Sequence, residues 1–195
     1  VIQKTNTYKE TKRIIHMQKK LSALGKEKYV ALCEGDDYWN DPLKLFLQVY
    51  ALNHNNASFC VHRVLVSYDD SPRYEFLPSS RQKTSLLSRT KFVKTILKEY
   101  SFQTSSYVIR KDLYDRYLEK YPDYLLKIPT DDEAMLLYFG SHSDVIYLHR
   151  IMSNYRKFLP QSWSSINKNV AKEQRTIYRS NIIYAIEQFN ADTSG

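Results

Sequence analysis

Residues 28–45, with the sequence KYVALCEGDDYWNDPLKL, join a short apolar run to an acidic turn and then to a helix start. The run at 29–33 predicts a buried strand. The Asn-Asp-Pro at 40–42 predicts a helix start, because aspartate caps helices and proline suits their first turn. The turn at 34–37, Glu-Gly-Asp-Asp, is therefore expected at the carboxyl end of a strand, where open α/β sheets bind ligands.

Asp36 and Asp37 within this turn predict a divalent cation site. Adjacent carboxylates repel each other, and keeping both ionised in a crevice is unfavourable unless a cation lies between them. A hard cation with oxygen ligands, Mn²⁺ or Mg²⁺, fits two carboxylates and shares its other positions with water and phosphate. The indicated substrate is a nucleotide or its diphosphate derivative. The alternative is a plain polar turn, since Gly and Asp are common in turns.

The stretch 28–45 resembles the metal-site segment of family 2 glycosyltransferases, which typically read KYIALLDGDDYWTDPLKL. The resemblance implies a GT-A-like α/β fold, an open sheet flanked by helices. It implies Asp37 as the principal metal ligand, with Asp36 as a second ligand or a ribose contact. Glu34, where many members carry Asp, and Tyr38 are implied to contact the nucleotide sugar.

Two later segments carry weaker resemblances to the same family. Residues 128–137, IPTDDEAMLL, are similar to its acidic helix start and imply Asp132 as catalytic base, with Asp131 as second choice. The alternative is that both are ordinary carboxylates at a helix N-terminus. Residues 152–156, MSNYR, resemble the family's MSxYR and imply that Arg156 binds the leaving diphosphate. Phe158 stands where members commonly carry His.

The activity implied is a metal-dependent, inverting transfer of a sugar from a nucleotide-diphosphate donor to a glycan or lipid-linked hydroxyl acceptor, in cell-surface polysaccharide synthesis. One alternative is a non-catalytic glycan- or nucleotide-binding module. Another is the Gly-Asp-Asp motif of viral RNA polymerases, but there the motif forms the tip of a β-hairpin. Here a helix start follows within five residues, so we expect no nucleic-acid partner.

The resemblance also bears on domain organisation. Family members place a strand and a turn that hold the base and ribose ahead of the acidic motif, whereas 33 residues precede Glu34 here. We therefore expect residues 1–195 to form a single domain that is the C-terminal portion of the family domain. On its own, such a portion is expected to bind nucleotide sugars poorly.

Composition limits the class of protein. With 26% charged and 43% hydrophobic residues and no long apolar run, the sequence is typical of a globular domain, and its polar start predicts no signal peptide. The net charge is +8, and residues 1–28 carry eight Lys or Arg against two Glu. This basic segment predicts a solvated helix face, or alternatively peripheral contact with an anionic membrane.

The two cysteines predict a reducing, cytoplasmic compartment, and Cys33 and Cys60 are each expected to be small buried side chains. Trp39 is expected in the core, and the five histidines show no ligand spacing. Residues 104–106 are expected to form a half-buried strand. The apolar face expected for the helix after Pro42 comprises Leu43, Phe46, Leu47, Tyr50 and Ala51.

Periodicity and turn residues predict the remaining elements. Helices are expected at about 11–24, 89–99, 111–119, 131–139 and 169–190, and strands at about 58–66, 105–110, 144–149 and 152–156.

Overall fold

The computed structural model describes residues 15–79, 83–98, 102–121, 124, 131–160, 162–166 and 172–193. The helices are α1 Ile15–Leu24, α2 Lys44–His54, α3 Arg89–Lys98, α4 Lys111–Lys120, α5 Asp131–His142, α6 Trp163–Ile166 and α7 Lys172–Thr193. The strands are β1 Tyr29–Ala31, β2 Tyr38–Trp39, β3 Phe59–Tyr68, β4 Tyr74–Leu77, β5 Ser85–Leu87, β6 Val108–Arg110 and β7 Val145–Lys157. A 3₁₀ turn, Thr104–Ser106, precedes β6.

The chain folds as mixed α/β, with helices flanking one mixed sheet. The main path of the sheet runs β1-β6-β3-β7-β2, while β4 pairs with β3 and β5 pairs with β7. Only β3 and β7 run parallel, and every other described pair is antiparallel. The predicted α/β class is confirmed. The sheet is mixed, with mostly antiparallel strand pairs.

The long strands β3 and β7 lie at the centre because both of their faces are covered. On one face, β3 contributes Phe59 to a core built largely of aromatic rings. The Phe59 ring packs edge-on against Tyr107 at 5.2 Å and Phe139 at 5.4 Å between ring centroids, geometries that aromatic pairs favour. On the other face, Cys60 joins a smaller cluster that contains Leu52 of α2.

The outer helices complete this arrangement. Helices α4 and α5 line the larger core, and α7 reaches it through Ala185 and Phe189. The predicted helices at 89–99, 111–119, 131–139 and 169–190 are confirmed in kind, as is the strand at 58–66. Within the described residues, no helix is both long and apolar enough to cross a membrane.

Two predicted strands proved to be one. The structure joins the segments expected at 144–149 and 152–156 in the single strand β7. The interruption in the hydrophobic pattern corresponds to Arg150 and Ile151, which are exposed, next to a register shift against β3. A β-bulge of this kind turns side chains outward without ending the strand.

The face of α2 that packs on the sheet was predicted wrongly. Helix α2 buries Lys44, Gln48 and Leu52, whereas Phe46 and Tyr50 of the predicted apolar face are exposed. The helix also begins at Lys44, after a turn in which the Asp41 carboxylate accepts a hydrogen bond from the Leu43 amide at 2.9 Å.

Other expectations about burial were also wrong. Strand β1 is half-buried at one end of the sheet path rather than fully buried. Cys60 is buried as predicted, but Cys33 is exposed because β1 ends before it. Residues Thr104–Ser106 form a fully buried 3₁₀ turn instead of a half-buried strand.

Candidate functional site

The acidic turn connects two strands that lie at opposite ends of the sheet path. Strand β1 pairs with β6, and β2 pairs with β7 through Tyr38 opposite Asn154 and Trp39 opposite Ser153. The turn closes through a hydrogen bond from the Asp37 amide to the Glu34 carbonyl at 3.1 Å. Its flanking strands are not paired with each other, so the motif is not the tip of a hairpin like that of the polymerases.

Asp37 is held from β7. The side chain is only 8% exposed, and its Oδ1 accepts a hydrogen bond from the backbone amide of Arg156 at 3.1 Å. The Arg156 side chain donates through Nε to the backbone carbonyl of Asp36. One residue of β7 thereby fixes both aspartates of the turn.

The second oxygen of Asp37 is available for a ligand. Oδ2 is buried and lacks a hydrogen-bond partner of normal geometry among the described residues, although the Gln103 side chain approaches this carboxylate. Burial raises the pKa of Asp37 to about 6, and the hydrogen bond from the Arg156 amide opposes that rise. A buried oxygen without a donor is unfavourable, and a bound cation would remove that penalty.

Glu34 brings a distant part of the chain into the site. Burial raises the pKa of Glu34 to about 8, and the charges of Asp132, Asp37 and Asp36 add to the rise. The side chain nevertheless keeps contact with solvent. Because Asp132 lies in the first turn of α5, its effect on Glu34 indicates that the start of that helix lies near the acidic turn.

Asp131 and Asp132, adjacent in the first turn of α5, have different neighbours. The Asp132 charge acts on Glu34, as described, whereas Oδ1 of Asp131 accepts a hydrogen bond from the Tyr121 hydroxyl at 3.3 Å. The charge of Asp131 also raises the pKa of Tyr114 and Tyr117 on α4, where burial is the main cause. Asp132 therefore belongs to the acidic cluster, and Asp131 faces α4.

Tyr155 also lies in the acidic cluster and was not predicted as a site residue. Burial raises its pKa, and the charges of Asp37, Glu34, Asp132 and Asp36 raise it further. Side chains alternate along paired strands, so Tyr155 of β7 and Asp37 leave the sheet on the same side. The available signal was its place directly before Arg156 in the MSNYR segment.

Tyr38 stands at the rim of the site. It is 48% exposed, and its hydroxyl accepts a hydrogen bond from Nδ2 of Asn154 at 2.8 Å. Asn154 also donates to Oγ of Ser67 at 3.0 Å, and the Arg156 guanidinium lies 5.9 Å from the centre of the Tyr38 ring. The ring is therefore fixed in orientation while part of its surface stays open.

Trp39 is not a core residue, contrary to the prediction. Its side chain is 37% exposed, and its indole Nε1 donates to the carbonyl of Ser105 at 3.1 Å. The expectation failed because β2 lies at the end of the sheet path, where one side of the strand has no neighbour in the described structure.

The described part of the chain contains no group of three His, Cys, Asp or Glu side chains that could hold a metal ion by themselves. His62 is buried, and His54, His142 and His149 are exposed. A site that offers one or two carboxylates and takes its other ligands from water and phosphate is the usual arrangement for Mg²⁺. Asp37 and Asp36 fit that arrangement better than a closed protein cage.

No protein-family model matches the chain. An uncharacterized protein of Mycobacterium tuberculosis and another of Mycobacterium bovis are each 33% identical to it over 139 residues. The match covers 70% of this chain and 37% of each relative. The chain thus spans well under half the length of these curated relatives.

Proposed function

We propose that this chain is the C-terminal portion of a GT-A-like family 2 glycosyltransferase domain, which transfers a sugar with inversion from a nucleotide-diphosphate donor to a hydroxyl acceptor. The observation that carries the proposal is the buried Oδ2 of Asp37, which has no hydrogen-bond partner of normal geometry among the described residues, inside a cluster that also contains Asp132. Helix-capping carboxylates and turn aspartates ordinarily face solvent. Their convergence from distant parts of the chain is what a catalytic site requires.

The metal would be Mn²⁺ or Mg²⁺, held by Asp37 and supported by Asp36. Oδ1 of Asp37 already accepts the Arg156 amide, so Oδ2 would be the oxygen that holds the cation. When bound, such an ion would supply positive charge that stabilises the negative charge developing on the diphosphate. Burial, and then the charges of the neighbouring carboxylates, raise the pKa of Glu34, and a bound cation would oppose both effects.

Asp132 would accept the proton of the acceptor hydroxyl. A carboxylate serves as general base when it lies within reach of the attacking group and on the reacting side of the donor. The structure supports this role for Asp132 rather than for Asp131, which bonds to Tyr121.

Arg156 and Tyr38 would contact the donor together with Glu34. The bond to the Asp36 carbonyl uses only Nε of the guanidinium. Its two terminal NH₂ groups form a fork of donors that suits a phosphate. The acceptor would be a glycan or a lipid-linked sugar in polysaccharide synthesis. We place the reaction in the cytoplasm, with peripheral membrane contact through the basic residues at 1–28, and expect no nucleic-acid partner.

Binding of Mn²⁺ and UDP to the 195-residue chain tests the proposal. Paramagnetic Mn²⁺ broadens the NMR signals of nearby amides, so even weak binding in the millimolar range can be located. We expect broadening of the Arg156 amide signal, enhanced by UDP and abolished in Asp37→Asn. The matched control is Asp131→Asn, which removes a neighbouring carboxylate outside the cluster and should leave the broadening intact.

Two results would contradict the proposal. One is an Arg156 amide signal that Mn²⁺ leaves sharp at every concentration. The other is broadening that persists in Asp37→Asn. If UDP binds without Mn²⁺ and independently of Asp37, a non-catalytic nucleotide-binding module is the better description.

A further inference from the structure

We propose that the exposed face of Trp39 is a stacking site for a pyranose ring of a saccharide acceptor. This inference rests on the proposed transferase function and names the chemistry of its acceptor. It concerns a residue that sequence reasoning placed in the core and that the structure places beside the acidic turn.

Lys44 supports the opposite face of the indole. Its Nζ lies 4.3 Å from the centre of the Trp39 ring, and the side chain is only 1% exposed. Nζ has no hydrogen-bond partner within the described ranges. A buried ammonium over an aromatic face gains cation–π attraction, so this lysine covers one face of Trp39. We assign the exposed 37% of the residue to the other ring face.

The indole is also fixed at its edge. Nε1 donates to the Ser105 carbonyl, and the Ser105 hydroxyl hydrogen-bonds with that of Ser153 at 3.0 Å. Ser153 is the β7 residue paired with Trp39. A large aromatic ring whose polar atom is satisfied and whose position is set before binding loses little entropy when a ligand stacks on it.

The position of Trp39 suits an acceptor. Trp39 and Asp37 are two residues apart along an extended segment, so their side chains leave the chain on the same side, roughly 7 Å apart along it. Tyr155 follows on that side of β7. A ring stacked on Trp39 would therefore lie next to the donor site, about one sugar unit from the metal.

The chemistry of the surface favours a saccharide. A pyranose with equatorial substituents presents a flat face of C–H groups, which packs on an aromatic ring, while its hydroxyls stay in water or reach polar groups. On its own side of the strand, Trp39 is neighboured by the Asp37 carboxylate. A rigid aromatic surface bordered by polar groups is typical of binding sites for small ligands with mixed polarity.

NMR titration of the 195-residue chain with saccharides tests this inference. The probes are cellotriose, chitotriose and a β-linked galactose trisaccharide, each raised to millimolar concentrations. The chain has two tryptophans, so Trp163→Phe assigns the Trp39 indole N–H signal. We expect one of the probes to shift that signal, and Trp39→Ala to weaken its binding, measured by calorimetry, at least about 10-fold, equivalent to 1.4 kcal/mol.

Controls separate stacking from general effects on folding. Tyr74→Ala removes an aromatic side chain that is more exposed and lies on β4, and it should leave binding unchanged. Trp39→Phe keeps a ring and should weaken binding less than Trp39→Ala. If none of the three probes shifts the Trp39 signal, or if Trp39→Ala binds as tightly as the wild type, the inference is wrong.

The outcome can be read independently of the transferase proposal. Asp37→Asn should abolish the Mn²⁺ effect on the Arg156 amide while leaving the saccharide shift of Trp39. A saccharide shift without any Mn²⁺ effect would support the stacking site and contradict the transferase. An Asp37-dependent Mn²⁺ effect without a saccharide shift would overturn only the stacking site.

Discussion

The backbone amide of Arg156 donates a hydrogen bond to Oδ1 of Asp37 at 3.1 Å, which joins the acidic turn to strand β7. The same residue binds the Asp36 carbonyl through its side chain. Because the bond to Asp37 comes from the main chain, no substitution at position 156 other than proline removes it. The backbone of Arg156 thus holds Asp37 whatever side chain stands at this position, while Nε of the side chain holds the Asp36 carbonyl.

Arg156→Lys is expected to weaken binding of UDP with Mn²⁺ by about 10-fold, with little change in melting temperature, because lysine cannot present a planar fork to phosphate. Calorimetry of UDP in excess Mn²⁺ measures the effect. Arg150→Lys is the matched control, since Arg150 pairs with Asp41 at 2.5 Å and is largely exposed. Equal affinities for wild type and Arg156→Lys would exclude Arg156 from the phosphate site.

Asp132→Asn is expected to lower kcat for sugar transfer by about 10²–10⁴-fold with little change in donor affinity, because a general base acts in the chemical step. Asp131→Asn, which alters the contact with Tyr121, should change kcat only slightly. A comparable loss in both variants would indicate that helix α5 is merely perturbed.

How far the sequence predicted this site depends on the range of the interactions. The acidic turn, its flanking strand and the helix after it follow from local patterns, and they were predicted nearly at the right positions. The convergence of Asp132 and Arg156 with Asp37 was implied only by resemblance, because no local pattern encodes contacts between distant segments. Tyr155 was missed for the same reason.

The errors on α2 have a specific physical cause. Periodicity identifies an apolar face, but α2 has apolar residues around most of its surface, and the side that packs is set by the sheet beneath it. Lys44 is buried because its ammonium meets the Trp39 ring, and Gln48 because its Nε2 binds the Ser106 carbonyl at 2.8 Å. Both partners lie outside the helix, so a helical pattern alone cannot reveal them.

Without metal, the chain is expected to lose stability as pH rises, in part through Glu34. Its folded-state pKa, about 8, lies above its normal value, so folding favours the protonated form. That contribution is complete below about pH 4 and lost as pH rises through 8. We expect roughly 1 kcal/mol, because solvent contact screens the exposed side chain.

Urea unfolding between about pH 5 and 8 measures this contribution. Glu34→Gln should flatten the decline, whereas Glu75→Gln, which alters an exposed ion pair with Arg73, should not. Mn²⁺ should reverse the trend, since ionised carboxylates bind the cation and stabilise the folded state. A decline that is identical in Glu34→Gln would remove Glu34 as its source.

Gly140→Ala tests the packing that positions α5. A Cβ at this position would lie 2.2 Å from Cδ1 of Phe92, a side chain that is fully buried and cannot move without disturbing the core. Overpacking of this kind lowers the unfolding free energy by about 1–3 kcal/mol, which is more than the higher helix propensity of alanine adds.

Gly35→Ala is the control, because a Cβ there meets nothing within 4 Å, and it should unfold at the same urea concentration as the wild type. Since α5 carries Asp132, a stable Gly140→Ala would mean that α5 packs differently against α3 and that the acidic cluster is not held as described.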